Sequence, residues 1–396
     1  MKNESVAILD IRSDEVTFLL GARGVNGTFV FKGSHTEKYE GYSANGGFHD
    51  EDSFRRAISV SVTSVRQNYE GKIDEVCVGV PTAFISLYTK GHTNSYPSKR
   101  KITAQDVAAL YESGINELLA QGHCIRRSNM YFSLGDNRKC FAEEDLYGVP
   151  TTLLKGALCY YFVSDAFYNF IYAILSDLSF SKISLIPSTL AQTYYLMSEK
   201  KREGYAFLLD IGFLTTSISV VYGNGIVHEQ SFDSGVGKIL AELMVQLEVD
   251  YYVAEEILTT TGVYHGDIPN DQMWTSEWAN VSFRLQDINE IIKRELDVLC
   301  EEVERFFQKH YRDKTTTGLT VNPISITGEG ISYIKGATEH ISGRLCRLTE
   351  ILTPELPYYD KPMYSSRIAL LHMALSDNQK SGWLNRIFNN IGGKKK

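Results

Sequence analysis

Phe207-Leu208-Leu209-Asp210-Ile211-Gly212-Phe213-Leu214-Thr215-Thr216-Ser217-Ile218-Ser219-Val220-Val221-Tyr222 is the stretch on which the reading of this chain turns. The first run is apolar and suits a buried strand, and the last alternates apolar residues with hydroxyls. Asp-x-Gly-x-x-Thr-Thr between them predicts a tight hairpin carrying a carboxylate and two hydroxyls. Such a turn is either a plain β-hairpin or a cradle for phosphate and its metal. The chain opens on a related pattern, Val6-Ala7-Ile8-Leu9-Asp10-Ile11-Arg12-Ser13-Asp14-Glu15-Val16-Thr17-Phe18-Leu19-Leu20. Again a strand runs into Asp-Ile, turns and returns. Two Asp-bearing hairpins half a chain apart predict two similar α/β domains facing one cleft.

A chain of 396 residues exceeds what one hydrophobic core usually serves, so two or more domains are expected. Its 43% hydrophobic and 22% charged residues are ordinary for a folded soluble protein. A formal net charge of −8 leaves no broad basic field for a general nucleic-acid binder. Cys77, Cys124, Cys140, Cys159, Cys300 and Cys346 form no C-x-x-C pair, which points away from a zinc site or a disulfide framework and towards a reducing cytoplasm. No long apolar run follows Met1, so no secretory signal is expected. The most membrane-like window, Gly156 to Leu175, contains Asp165 and Asn169. Phe167, Phe170, Ile171, Ile174, Leu175 and Leu178 fall there on one helical face, which predicts a buried amphipathic helix.

In chain order, residues 1–81 read as a βββαβ unit, with Phe54, Ile58, Val62 and Val65 on one face of a helix over Asp50 to Tyr69. Between 82 and 162 the pattern shifts to shorter elements and predicts an inserted subdomain. Its helix opens near Lys99 to Val107, with Thr103 as N-cap and Asp106 three residues on. Residues 163–205 return to the first domain through a short strand, Lys182 to Pro187, and a helix, Ser188 to Lys200. The second domain is expected over 206–239 and 319–375, with a small subdomain at 240–318. That subdomain holds a long helix, Leu285 to His310, striped by Ile288, Ile291, Ile292, Leu296, Leu299, Val303 and Phe306. Residues 376–396 read as a polar linker, Ser376 to Gly382, and an amphipathic helix.

The order of these features resembles the bacterial cell-division protein FtsA, a membrane anchor of the FtsZ ring within the actin/Hsp70/sugar-kinase superfamily. The resemblance spans the chain and rests on Arg100 to Val107, Asp145-Leu146-Tyr147-Gly148, Pro187 to Ala191, Leu209-Asp210-Ile211-Gly212 with Thr215-Thr216, Gly235, Ala254-Glu255, Ile292-Lys293-Arg294-Glu295, Thr327-Gly328 and the amphipathic end. It implies a two-domain actin-like α/β fold with an FtsA-type inserted subdomain. It also implies binding to the C-terminal peptide of FtsZ, self-association into filaments, and a place on the inner face of the cytoplasmic membrane at the division site. The alternatives are an actin-like pilus scaffold such as PilM and an active ATPase or sugar-kinase-like enzyme. No sequence signal marks the general base a kinase needs.

The resemblance further implies an ATP and magnesium site at Asp10, Arg12, Ser13, Asp210, Gly212, Thr215, Thr216, Gly235, Gly237, Glu255, Gly328 and Gly330, with Asp10 and Asp210 holding the metal through water. The chain departs from the family at that site. Arg12 stands where glycine lets backbone approach phosphate, and Phe213 and Leu214 replace two more glycines. Ser217 replaces an aspartate, Glu329 interrupts Thr-Gly-x-Gly, and Leu258 replaces a basic residue. Either residual ATP binding survives or these residues only preserve hairpins; efficient hydrolysis is not expected.

At about 100° per residue, Trp383, Leu384, Ile387, Phe388 and Ile391 share one arc of the terminal segment. Arg386, Lys394, Lys395 and Lys396 supply positive charge beside it. An interfacial helix on an anionic membrane surface is the reading, with a helix docked on the protein's own body as the alternative.

Overall fold

The computed structural model describes residues 5–24, 26–311 and 322–392, with side chains described through Asn378. The opening apolar run forms β1 (Val6–Ile11), buried at every position, and returns as β2 (Glu15–Arg23), with Val6 opposite Gly21 and Ile11 opposite Val16. β3 (Phe29–Lys38) pairs with β2. Asp50 caps α1 (Glu51–Gln67) by accepting from the Ser53 amide, and α1 lays Phe54, Ile58, Val62 and Val65 on the sheet. β4 (Glu75–Val80) then pairs parallel to β1.

The insertion is a sheet of long strands, β5 (Ser86–Lys101), β6 (His123–Leu134), β7 (Lys139–Cys140) and β8 (Pro150–Val163), in the order β5-β8-β6-β7. α2 (Ala104–Asn116) covers it, packing Val107, Leu110 and Tyr111 against Phe132, Leu154 and Leu158. The expected cap is present: the Thr103 hydroxyl accepts from the Asp106 amide, and the Asp106 carboxylate accepts from the Thr103 amide at 2.9 Å. Lys99 to Lys101 are strand rather than the start of the helix, because pairing with β8 continues to Lys101 opposite Pro150. The expectation of short elements is likewise corrected, since pairing on β8 sustains a 16-residue β5.

α3 (Asp165–Asp177), the predicted amphipathic helix, joins the first core through Phe167, Ile171, Ile174 and Leu175. β9 (Lys182–Pro187) completes a sheet ordered β3-β2-β1-β4-β9. The next helix is two, α4 (Ser188–Leu196) and α5 (Glu199–Arg202), because Ser198 caps a new turn by accepting from the Lys201 amide.

β10 (Ala206–Ile211), β11 (Thr216–Tyr222) and β12 (Gly225–Phe232) repeat the opening hairpins in a separate sheet. α6 (Val236–Leu247), α7 (Tyr251–Thr260), β13 (Met273–Thr275), β14 (Ser282–Arg284) and α8 (Leu285–His310) follow. The α8 stripe predicted from sequence lies in one core with β10, β11, α6 and α7. β15 (Ile324–Thr327), α9 (Glu329–Tyr333), α10 (Ala337–Leu345) and β16 (Thr349–Ile351) finish the second sheet, ordered β12-β11-β10-β15-β16.

α11 (Ser365–Gly392) changes two expectations. It packs on the first sheet rather than belonging with the second domain: Leu371 fills the space beside Gly21 and Leu370 that beside Gly79, with Leu190 and Ala191 of α4 in the same core. The polar stretch from Ser376 is also helical, continuing α11 without a break. Arg126 of β6 grips its Asp377 with two bonds of 2.6 and 3.0 Å. Among the described residues no helix is long and apolar enough to cross a membrane. The side chains of Trp383, Leu384, Arg386, Ile387, Phe388 and Ile391, and all of Lys394 to Lys396, lie outside the described part.

Candidate functional site

The β1–β2 and β10–β11 hairpins point their turns at each other, and Arg12 bridges them. Its Nη1 donates to Asp210 Oδ2 at 2.9 Å and its Nη2 to Oδ1 at 3.0 Å, with side chains only 12% and 8% exposed. Burial works against both charges, yet each sustains the other: Asp210 is held below the usual carboxylate range and Arg12 above its usual value. Gln192 of α4 donates to Asp210 Oδ2 at 2.8 Å and to Ser365 Oγ at 3.1 Å. Ser366 donates to Asp10 Oδ1 at 2.6 Å, leaving Oδ2 unpartnered, and burial pushes the Asp10 carboxyl up. Arg367 reaches Glu15 at 2.8 Å. The head of α11 thus ties down the first hairpin while α4 ties down the second.

The residues replacing glycines have definite contacts. Leu214 packs into the core of the first domain, and its amide donates to Ser13 Oγ at 2.9 Å. Phe213 packs in the second core, with its ring over Gly237. The amides of Val236 and Gly237, which the start of α6 would offer an anion, donate instead to the carbonyls of Gly212 (3.2 Å) and Phe213 (2.7 Å). Gly235 is required there, because a Cβ would lie 2.3 Å from the Phe213 carbonyl oxygen. Gly328, at φ +99°, would put a Cβ 2.2 Å from Asp210 Oδ1. Gly330 abuts Ile211, and Gly212 closes its turn by donating to the Thr215 carbonyl at 2.9 Å. Thr215 lines the cleft, and Thr216 is buried with its hydroxyl unpartnered.

Eleven of the twelve sequence-predicted positions therefore converge on the cleft: Asp10, Arg12, Ser13, Asp210, Gly212, Thr215, Thr216, Gly235, Gly237, Gly328 and Gly330. Glu255 lies on α7, accepting from Tyr251 at 3.3 Å and lining a groove with Asp250, Glu256 and Trp278. Sequence reading missed Gln192, Ser365 and Ser366, whose only signal was a run of hydroxyls and an amide at the heads of apolar helices. What remains between the hairpins is a cavity of about 40 Å³ lined by Arg12, Ser13, Thr82, Ser188, Asp210 and Thr215 among others. Space on that scale suits ordered water, whereas ligand pockets run to about 300 Å³ and more. A metal ion or a nucleotide phosphate would have to displace these protein–protein bonds. Both Asp210 oxygens are taken by Arg12, the α6 amides are taken by carbonyls, and no cluster of three metal-ligating side chains exists among the described residues. Calorimetry with ATP and magnesium is expected to show no binding tighter than the millimolar range; micromolar affinity would refute this.

Compared by sequence, the chain matches no protein-family model and no curated protein. Compared by structure, it superposes over 94% of its length on 99% of a chain from a PilM-PilN type IV pilus biogenesis complex, with TM-score 0.60 and 13% identity. This chain has the two-domain actin-like fold. The likeness extends to MreB5 of Spiroplasma citri bound to AMPPNP (TM-score 0.55, 8% identity, 96% of this chain and 100% of that one). It extends also to the ethanolamine utilization protein EutJ from Carboxydothermus hydrogenoformans (0.52, 11%, 95% and 90%). The two hairpins and the turn at Gly328 meet around Asp210, and the Arg12 side chain fills the space between them.

Proposed function

We propose that this chain is a non-catalytic actin-like scaffold of the FtsA type, tethering FtsZ filaments to the inner face of the cytoplasmic membrane and self-associating there. The observation that carries the non-catalytic part is the Arg12–Asp210 pair, in which the guanidinium gives Asp210 the positive partner that a metal ion would otherwise be. The FtsZ partner rests on the motif order of the sequence. A PilM-type pilus scaffold is the second reading, favoured by the superposition over nearly both full chains. Pull-down of the purified chain with an FtsZ C-terminal peptide and, in parallel, with PilN separates the two. Capture of the FtsZ peptide alone is expected. Turnover of a phosphorylated small molecule without peptide binding would sink both scaffold readings.

The membrane part has its own test. Changing Trp383 and Phe388 to Ala removes about 3–5 kcal/mol of potential burial and should release the chain from vesicles of any lipid charge. Changing Lys394, Lys395 and Lys396 to Gln should weaken binding only to anionic vesicles and flatten its salt dependence. Sedimentation unchanged by deletion from Ser381 onward would show that the tail is not the anchor.

A further inference from the structure

The groove beside Glu255 has α7 as one wall and the β13–β14 connection as the other, and it encloses about 680 Å³. The walls are tied together: Glu256 accepts from the Ser276 hydroxyl and from the Glu277 amide, each at 2.6 Å. Trp278, 86% exposed, and Tyr252, 78% exposed, stand on its rim, two of the three most exposed large apolar side chains among the described residues. Aromatic surface left in water beside a ready concavity marks a docking surface. Its charge has one sign, since Asp250, Glu255, Glu256 and Glu277 line the groove and no Lys, Arg or His does. The complement is a cationic segment, whose ammonium groups would meet carboxylates in the groove and aromatic faces at its rim. We propose that this groove receives the lysine run Lys394-Lys395-Lys396 of a second copy of the chain.

The sequence holds three runs of three basic residues. In Lys200-Lys201-Arg202, Lys201 is bound to Ser325 and Glu350, and Arg202 is buried against the Gly223 carbonyl. Lys99-Arg100-Lys101 is part of β5, and Arg100 is held by Asp106. That leaves Lys394-Lys395-Lys396, which follows α11. α11 packs on the first sheet, whereas α7 and the groove belong to the second domain. One copy would therefore present its lysines from its first domain, and the next would receive them on its second. Such a contact is heterologous and repeats from copy to copy. It supplies a contact for the self-association proposed above and rests on that part of the reading. Lysines held in the groove are withdrawn from an anionic lipid surface, so the two occupancies compete.

Sedimentation velocity of the full chain without lipid, at low and high salt, tests it. The wild type is expected to associate as its concentration rises and to lose that association in high salt. The full chain with Lys394, Lys395 and Lys396 changed to Gln should stay monomeric, and so should the full chain carrying Glu255→Gln with Glu277→Gln. An equimolar mixture of the two should form dimers, because one keeps the groove and the other keeps the lysines. Trp278→Ala, at the exposed rim, takes the place of the paired glutamate variant if that one does not fold. The peptide Asn389 to Lys396, which contains no tryptophan, should bind the Lys→Gln chain saturably and change its Trp278 emission. Adding the two Glu→Gln changes should weaken that binding about tenfold. A mixture without dimers, or peptide binding unmoved by the glutamate changes, overturns the contact. Association that survives both sets of changes overturns it and leaves self-association standing, whereas a wild type that stays monomeric overturns both.

Discussion

Replacing Arg12 with Ala is expected to cost about 3–5 kcal/mol of folding stability at neutral pH, the range for breaking a buried ion pair on one side. The reason is what remains. Asp210, 8% exposed, would keep only the Gln192 amide as a donor, and α4 holds that amide in place. An unpaired carboxylate there must either stay charged in a poor solvent or take up a proton, so the loss should shrink as pH falls towards 4. The double change Arg12→Ala with Asp210→Ala removes both charges and should cost less than the two single losses added together, giving a coupling of about 2–3 kcal/mol in a mutant cycle. Urea unfolding of the four proteins decides it, and a single-substitution loss below about 1 kcal/mol would place the pair effectively in solvent. The Arg12→Ala protein is not expected to gain ATP, because Phe213 and Leu214 stay where they are. Nor is Leu214→Gly a clean restoration, since it withdraws a side chain from the first core.

A second large effect is expected at Glu229 on β12, whose two carboxyl oxygens are buried without partners opposite the equally unpartnered Ser219 hydroxyl. Burial alone pushes this carboxyl up to about 8 from its ordinary 4.5. The fold therefore prefers the neutral acid. Its stabilising preference is fully present below the ordinary value and is lost as pH rises through about 8. At about 1.4 kcal/mol per pH unit, several kcal/mol separate pH 5 from pH 9 as an upper bound. Glu229→Gln should match the wild type near pH 5 and exceed it at pH 9. Some slope should survive in that variant, because Asp14 and Glu329 shift in the same direction, and adding Glu329→Gln should remove most of it. Identical pH slopes for Glu229→Gln and wild type between 5 and 9 would show that the site hydrates on ionisation.

What the sequence by itself determined is local and periodic. The hydrophobic runs into Asp10 and Asp210 specify strands that must be buried, and the turns after them specify hairpins. The Thr103/Asp106 cap and the α8 stripe follow from spacings of three and four residues that one helix face reads directly. Duplication of the Asp-bearing hairpin already marked two related sheets, and Arg12, Phe213 and Leu214 already marked turns that carry side chains where a phosphate cradle needs bare backbone. What filled that site was decided only in tertiary structure. Arg12 could have faced solvent, phosphate or a carboxylate, and it meets Asp210, 198 residues away, because the two sheets face each other. The home of α11 was likewise hidden: its apolar residues do not name the sheet they cover, and in the fold Leu371 and Leu370 fill the space beside Gly21 and Gly79 of the first. Asp14 and Glu229 look in sequence like ordinary surface acids, and Glu329 like no more than an interruption of a glycine turn. Their protonation follows from desolvation, and desolvation is a property of the space around a residue that no spacing along the chain encodes.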